Sequence, residues 1–290
     1  MTASALLIVL VAAFLHAFWN YLAKKSRNKI AFIWWFILFA VVFYFPMFLY
    51  FFAESHISAV GWTCIVATGL LHTLYFFFVG SSYKQGDLSV VYPLARGFGP
   101  FWVPILAVVI LHEQLSLTGV IGIVFVVVGI YFIHLKSFSV NAAFEPFTAI
   151  RSAPSIWALL TGCTIASYSL VDKVGVKSVN PAVYIYFIFL IPLIFLTPYV
   201  RIKERRALKP EWKINKGPIM VVGFLVAFTY LLVLFAMQTS NVSYVVAVRE
   251  VSIVFSALFG VIWLGEGYRQ SRFTGAFLIA LGVIFIGLSR

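Results

Sequence analysis

The chain has 290 residues, 63% of them hydrophobic and only 10% charged, with a net charge of +12. A soluble domain carries about 25% charged residues, so this composition excludes a soluble enzyme or binding module and requires a polytopic membrane protein. The basic excess does not point to nucleic acid. Its Lys and Arg residues lie mainly between apolar runs, where they orient the chain and meet anionic headgroups.

A membrane-crossing helix needs about 20 apolar residues. Cutting at polar and Pro/Gly punctuation predicts ten spans, at residues 4–23, 30–52, 58–80, 89–111, 117–135, 156–171, 183–200, 218–237, 242–264 and 273–288. The first lacks a basic n-region and a small-residue cleavage site, so it reads as a retained helix. It carries His16, Trp19 and Asn20, and the third carries His72 and Tyr75. The fourth contains Y-P-L-A-R-G-F-G-P-F-W-V-P at residues 92–104, with Tyr92, Arg96 and Trp102 among three prolines and two glycines. Each proline removes a backbone donor, and lipid offers the freed groups no partner. A guanidinium at that depth costs at least about 2.5 kcal/mol. The fourth span is therefore expected to be kinked beside a polar cavity, as interrupted spans of transporters are.

The sixth span is short and rich in Ser and Thr, and it holds Tyr168. Asp172 follows at its end, where an interfacial pair with a lysine is expected. Residues 201–217, highly basic, read as a solvated loop near anionic lipid. The eighth span holds Tyr230; the ninth holds Arg249 and Glu250, the clearest acid at membrane depth. Adjacent residues on a helix point about 100° apart, so Glu250 need not pair with Arg249. Cys64 and Cys163 form neither a disulfide framework nor a ligand spacing, and no metal site is indicated.

An internal repeat organises these elements. Arg249 lies 153 residues after Arg96, and Glu266 lies 153 after Glu113. The same shift places Gly122 on Gly275 and Gly129 on Gly282. Upstream, W-N-Y-L-A-K (residues 19–24) resembles Y-S-L-V-D-K (168–173). Two related halves follow, 1–137 and 156–290, joined by a linker at 138–155. Five helices per half is odd, so the second half enters the membrane inverted, the architecture of alternating-access carriers. Glu113 and Glu266 sit at hairpin turns and read as caps. Lys24 and Lys173 are repeat-related; snorkelling to headgroups is their default, with one of them a candidate for the cavity mouth. Loop charges put both termini outside the cell.

The double five-helix layout, the hairpins L-H-E-Q-L-S-x2-G (111–119) and L-G-E-G-Y-x6-G (264–275), and A-x-W-N-x3-K (17–24) resemble the EamA-type members of the drug/metabolite transporter superfamily. The resemblance covers essentially the whole chain. It implies secondary transport, without ATP, of amino acids, other small metabolites or drugs, often as export. It also implies cytoplasmic termini, the opposite of the loop charges. Small multidrug relatives carry a first-helix glutamate, where this chain offers His16 and Asn20 and no acid.

The repeat would bring Arg96 and Arg249 to the interface of the halves, where guanidinium forks suit carboxylate or phosphate oxygens. His16, His72, Trp19, Asn20, Tyr75, Tyr92, Trp102, Tyr168 and Tyr230 are the candidates to complete a pocket of apolar walls and polar tips. Glu250 is the candidate coupling acid. The resulting expectation is an all-α, ten-span carrier of two inverted five-helix repeats, moving a small anionic or zwitterionic metabolite as an exporter or exchanger. The alternative is a proton-coupled exporter of hydrophobic drugs or organic cations. No cofactor or enzymatic constellation is indicated. The partners are a small-molecule solute, the bilayer of a bacterial cytoplasmic membrane and a candidate coupling proton, with monomer and homodimer both compatible.

Overall fold

The structure, a computed structural model, describes residues 1–24, 26–85, 88–135, 153–264 and 270–289, and leaves aside the side chains of 82–85, 88–96, 134, 153–154, 261 and 263–264. The linker 138–152, Asp87 and Glu266 lie outside the described residues. The helices are α1 (Ala3–Lys24), α2 (Lys29–Ala53), α3 (Ala59–Gln85), α4 (Leu88–Leu111), α5 (Leu117–His134), α6 (Ala153–Ser178), α7 (Pro181–Lys203), α8 (Arg205–Thr239), α9 (Val242–Arg249), α10 (Val251–Leu264) and α11 (Gln270–Gly287). No strand occurs among the described residues. The stretch Val242–Gly260 is one apolar crossing, so α9 and α10 share a pass and these helices make ten. Met1 and Ser289 meet, the terminal ammonium donating to the Ser289 carbonyl at 2.8 Å. Alternation from that terminal face puts the 2–3, 4–5, 6–7 and 8–9 connections on it, and the 1–2 and 7–8 connections on the opposite face.

Local chemistry starts several helices where the sequence breaks. Asn28 caps α2 by accepting from the Ala31 amide at 2.9 Å, and Ser116 caps α5 through the Gly119 amide at 3.2 Å. Asn180 caps α7 through the Ala182 amide, with Pro181 filling the first turn where no donor is needed.

The repeat is visible at the most extensively packed helix pair, α5 against α11. A Cβ on Gly122 would stand 2.6 Å from the Gly282 carbonyl, and one on Gly129 would stand 2.7 Å from that of Gly275. Exchanging the halves turns one contact into the other, as an inverted repeat requires. Small residues let the backbones approach this closely where lipid supplies no hydrophobic drive.

Three expectations are corrected. The sixth span is not short: α6 has 26 residues. The hydroxyls of Thr161, Thr164 and Ser169 are buried and satisfied by the helix's own carbonyls, Thr161 on Trp157, Thr164 on Thr161 and Ser169 on Ile165. Its polarity reflects burial against α3 and α4 rather than a marginal span. The basic stretch 201–217 is no loop: it forms the end of α7 and the first part of α8, which kinks at Asn215. That part is amphipathic, with Glu211 and Asn215 buried and Arg205, Arg206, Lys209 and Lys213 exposed. Finally, α4 is one helix across its prolines, and the broken pass is the ninth.

Candidate functional site

Asp172, on α6, is completely buried (0% exposed). Tyr184, from the first turn of α7, donates to its Oδ1 at 3.0 Å, and Tyr230, from α8, donates to Oδ2 at 2.5 Å. Six helical rises separate Asp172 from the end of α6, about 9 Å below the terminal face. A buried carboxylate is tolerable only when its lone pairs are occupied, which the two phenols accomplish. One turn back on α6, Tyr168 lies flat against the buried His72 ring, centroids 4.1 Å apart. His72 Nδ1 is 3.0 Å from both the carbonyl and the hydroxyl of Thr68. A carbonyl can only accept, so Nδ1 carries a proton. Tyr230 meets His72 edge-on at 5.4 Å, and Tyr75 closes on Tyr168 at 5.8 Å. The group thus joins α3 of the first half to α6, α7 and α8 of the second.

Arg249 enters from α9, only 4% exposed, within electrostatic reach of His72, Asp172 and Tyr230. The pass breaks at Glu250, whose amide turns back to the carbonyls of Ala247 and Val248. Glu250 Oε1 comes within 3.9 Å of Arg249 Nε, correcting the expectation that these neighbours need not pair. The guanidinium also sits at the negative end of the α9 dipole, which favours a cation there.

Both faces are tied across the halves. On the terminal face, Glu113 accepts from the Val242 amide at 2.6 Å and the Ser243 hydroxyl at 2.7 Å, so it caps α9. Left-handed His112, φ 53°, turns the chain into this position, and the Ser116 amide donates to the Tyr244 hydroxyl at 3.0 Å. The expected cap role of Glu113 holds, exercised on a helix of the other half. Lys173 does not snorkel: it is buried and donates to the carbonyls of Met237 and Ser240 at 2.6 and 2.8 Å, closing the end of α8. On the opposite face, Asn28 donates to Glu204 at 2.7 Å through its amide side chain and to Glu211 at 2.9 Å through its backbone. Trp212 stacks on Phe39, centroids 5.3 Å apart.

The model of the EamA-like transporter family matches residues 3–135 and 153–288, nearly the whole described chain in two segments. The chain belongs to the EamA-like transporter family. An uncharacterized transporter of Archaeoglobus fulgidus is 25% identical over 256 residues, spanning 86% of this chain and 84% of that protein. A crystal structure of a protein 15% identical superposes with a TM-score of 0.67 over 99% of this chain and 98% of its own, which is a likeness of fold. This EamA-like protein is an integral, multi-pass membrane transporter.

Of the residues predicted for its site, His72, Tyr75, Tyr168, Tyr230 and Arg249 come together. His16, Trp19 and Asn20 form a separate group on α1, where Asn20 donates to the His16 carbonyl at 2.8 Å and His16 meets Trp19 edge-on at 4.8 Å. Trp19 connects to the main group through the rings of Phe36, Phe76 and Tyr75. Trp102 is excluded: it is 36% exposed beside Phe98 and Phe101, because α4 turns Val103 and Ala107 inward instead. The side chains of Tyr92 and Arg96 lie outside the described residues. The interfacial lysine pair expected of Asp172 is wrong, since two tyrosines of the core hold it. Asp172, Tyr184 and Thr68 were missed, although Asp172 follows Tyr168 by one helical turn, the spacing that shares a face.

Proposed function

We propose that this EamA-like transporter is a secondary active carrier of a small anionic or zwitterionic metabolite, an amino acid or similar, working by alternating access as an exporter or exchanger in a bacterial cytoplasmic membrane. The observation that carries the reading is Arg249, buried at the break of a membrane pass and facing an aromatic, hydroxyl-rich group that spans both halves. Intramembrane charge marks solute pathways, and a guanidinium matches carboxylate geometry. Uptake of radiolabelled amino acids and small carboxylates into proteoliposomes tests it. Arg249→Ala should weaken transport at least about tenfold, the equivalent of one lost charge-assisted hydrogen bond. Full activity in that variant removes Arg249 from the solute site.

A second reading, export of organic cations, is favoured by the two buried acids, Asp172 and Glu250, beside aromatic rings. Thermal stabilisation of the purified protein separates the two. Carboxylates stabilise it on the first reading, and quaternary ammonium compounds on the second.

A further inference from the structure

We infer that Asp172, not Glu250, carries a coupling proton, and that this proton travels in the same direction as the anionic solute. The second clause rests on the anion reading of Arg249; the first stands on the geometry of the tyrosine-held acid.

Tyr184 has one hydroxyl proton and two acceptors in reach, Asp172 Oδ1 at 3.0 Å and the Cys64 carbonyl at 3.3 Å. With Asp172 ionised, Tyr184 donates to the carboxylate, and the Cys64 carbonyl keeps its bond within α3. With a proton on Oδ1, Asp172 donates to the Tyr184 oxygen, and the Tyr184 proton turns to the Cys64 carbonyl. Tyr230 donates to Oδ2 in both cases. The same heavy atoms therefore accommodate both charge states without moving, and no donor or acceptor is orphaned in either. Glu250 instead lies against Arg249 at the helix break and serves as its counter-charge.

Among the described residues, the groups acting on Asp172 are Cys64 and Thr68 from α3, Tyr184 from α7, Tyr230 from α8 and Arg249 from the α9 end, with the His72–Tyr168 pair one turn away and Glu250 against Arg249. Lys173, the next residue on α6, is turned away to the end of α8. Among the described residues, Arg249 is thus the cation that feels the charge on Asp172. When water delivers a proton to Oδ1, the carboxylate charge that competes for Arg249 disappears, and an arriving anion meets the guanidinium without that rival. Proton and anion each favour the binding of the other, and by linkage the effect is reciprocal. Proton and solute leave together when access changes, the proton returning to water on the far face.

Infrared difference spectra of the full chain in liposomes, recorded through a pH titration, test the acid without any solute. The C=O stretch of a protonated carboxyl group should grow on acidification, vanish in Asp172→Asn, persist in Glu250→Gln, and shift in Tyr230→Phe and Tyr184→Phe. A band that survives Asp172→Asn, or is lost in Glu250→Gln, overturns the assignment, as does the absence of a titrating band. Should Asp172→Asn not fold, the two Phe variants decide, since both retain the acid; an unshifted band then refutes the proposal. For the direction, the best carboxylate from the uptake screen is followed under an imposed proton gradient. Accumulation should rise about tenfold per pH unit for one proton per solute. A fall instead would refute co-movement while leaving the infrared assignment intact.

Discussion

The two copies of the repeat share their packing and differ in their chemistry. At α5 and α11 the halves are interchangeable: Gly122 meets Gly282 as Gly129 meets Gly275. At α1 and α6 they are not. Trp19 and Tyr168 hold equivalent places, but the position of Asp172 is Ala23 in the first copy. The α1 group is satisfied largely along its own helix, whereas the α6 group recruits donors from three other helices. Duplication constrains a scaffold because symmetric backbones must pack against each other. It constrains a solute site far less, since one acid with its donors suffices.

This contrast can be attacked first where symmetry is strict. Gly129→Leu and its repeat mate Gly282→Leu should each destabilise by about 3 kcal/mol, because the new side chain meets backbone that cannot give way. Unequal losses in thermal unfolding in detergent would show that the two contacts are not equivalent. Next in size is the cap that joins the halves. Glu113→Ala should cost about 1–2 kcal/mol by stripping the start of α9 of its acceptor, and Glu113→Gln should recover part of that loss. Smaller again, Tyr184→Phe should cost about 1 kcal/mol, whereas Trp19→Phe should stay within about 0.5 kcal/mol because the indole Nε1 has no hydrogen-bond partner among the described residues. A larger loss at Trp19 than at Tyr184 would reverse the ranking of α1 and α6. Last, Trp102→Ala should leave solute uptake unchanged, its ring lying outside the group around Asp172.

Much of the architecture was legible in the sequence because lipid imposes a simple code. Apolar runs mark the passes, and the residues that match under one constant shift, the glycines of α5 and α11 among them, mark the two related halves. One kind of misreading comes from polarity. A polar residue in such a chain reads as the end of a span, although partners inside a ten-helix bundle satisfy polar groups as water does. Asp172 and Lys173 therefore read as interfacial, and the Ser/Thr-rich α6 reads as short. The opposite error occurred at α4, where prolines suggested a break that falls instead at Glu250, on a pass without proline. Arg249 and the aromatic residues of α3, α6 and α8 were found because charge and ring size stand out in an apolar run. Their partners were not, because the hydrogen bonds joining α6 to α7 and α8 connect residues 12 and 58 positions apart.

The glycine seam between α5 and α11 sets the fulcrum of any rocking motion. Backbones this close cannot slide past one another without collision, and the flanking side chains Val126, Ile133, Ile279 and Ile286 already fill the space beside them. On the proposed alternating-access reading, the two bundles swing about that line, as a hinge swings about its pin, while the ties at Glu113 and Asn28 alternately let go. Stapling α5 to α11 with a short cross-link should thus leave turnover unaffected, whereas stapling Asn28 to Glu211 through paired cysteines should arrest it.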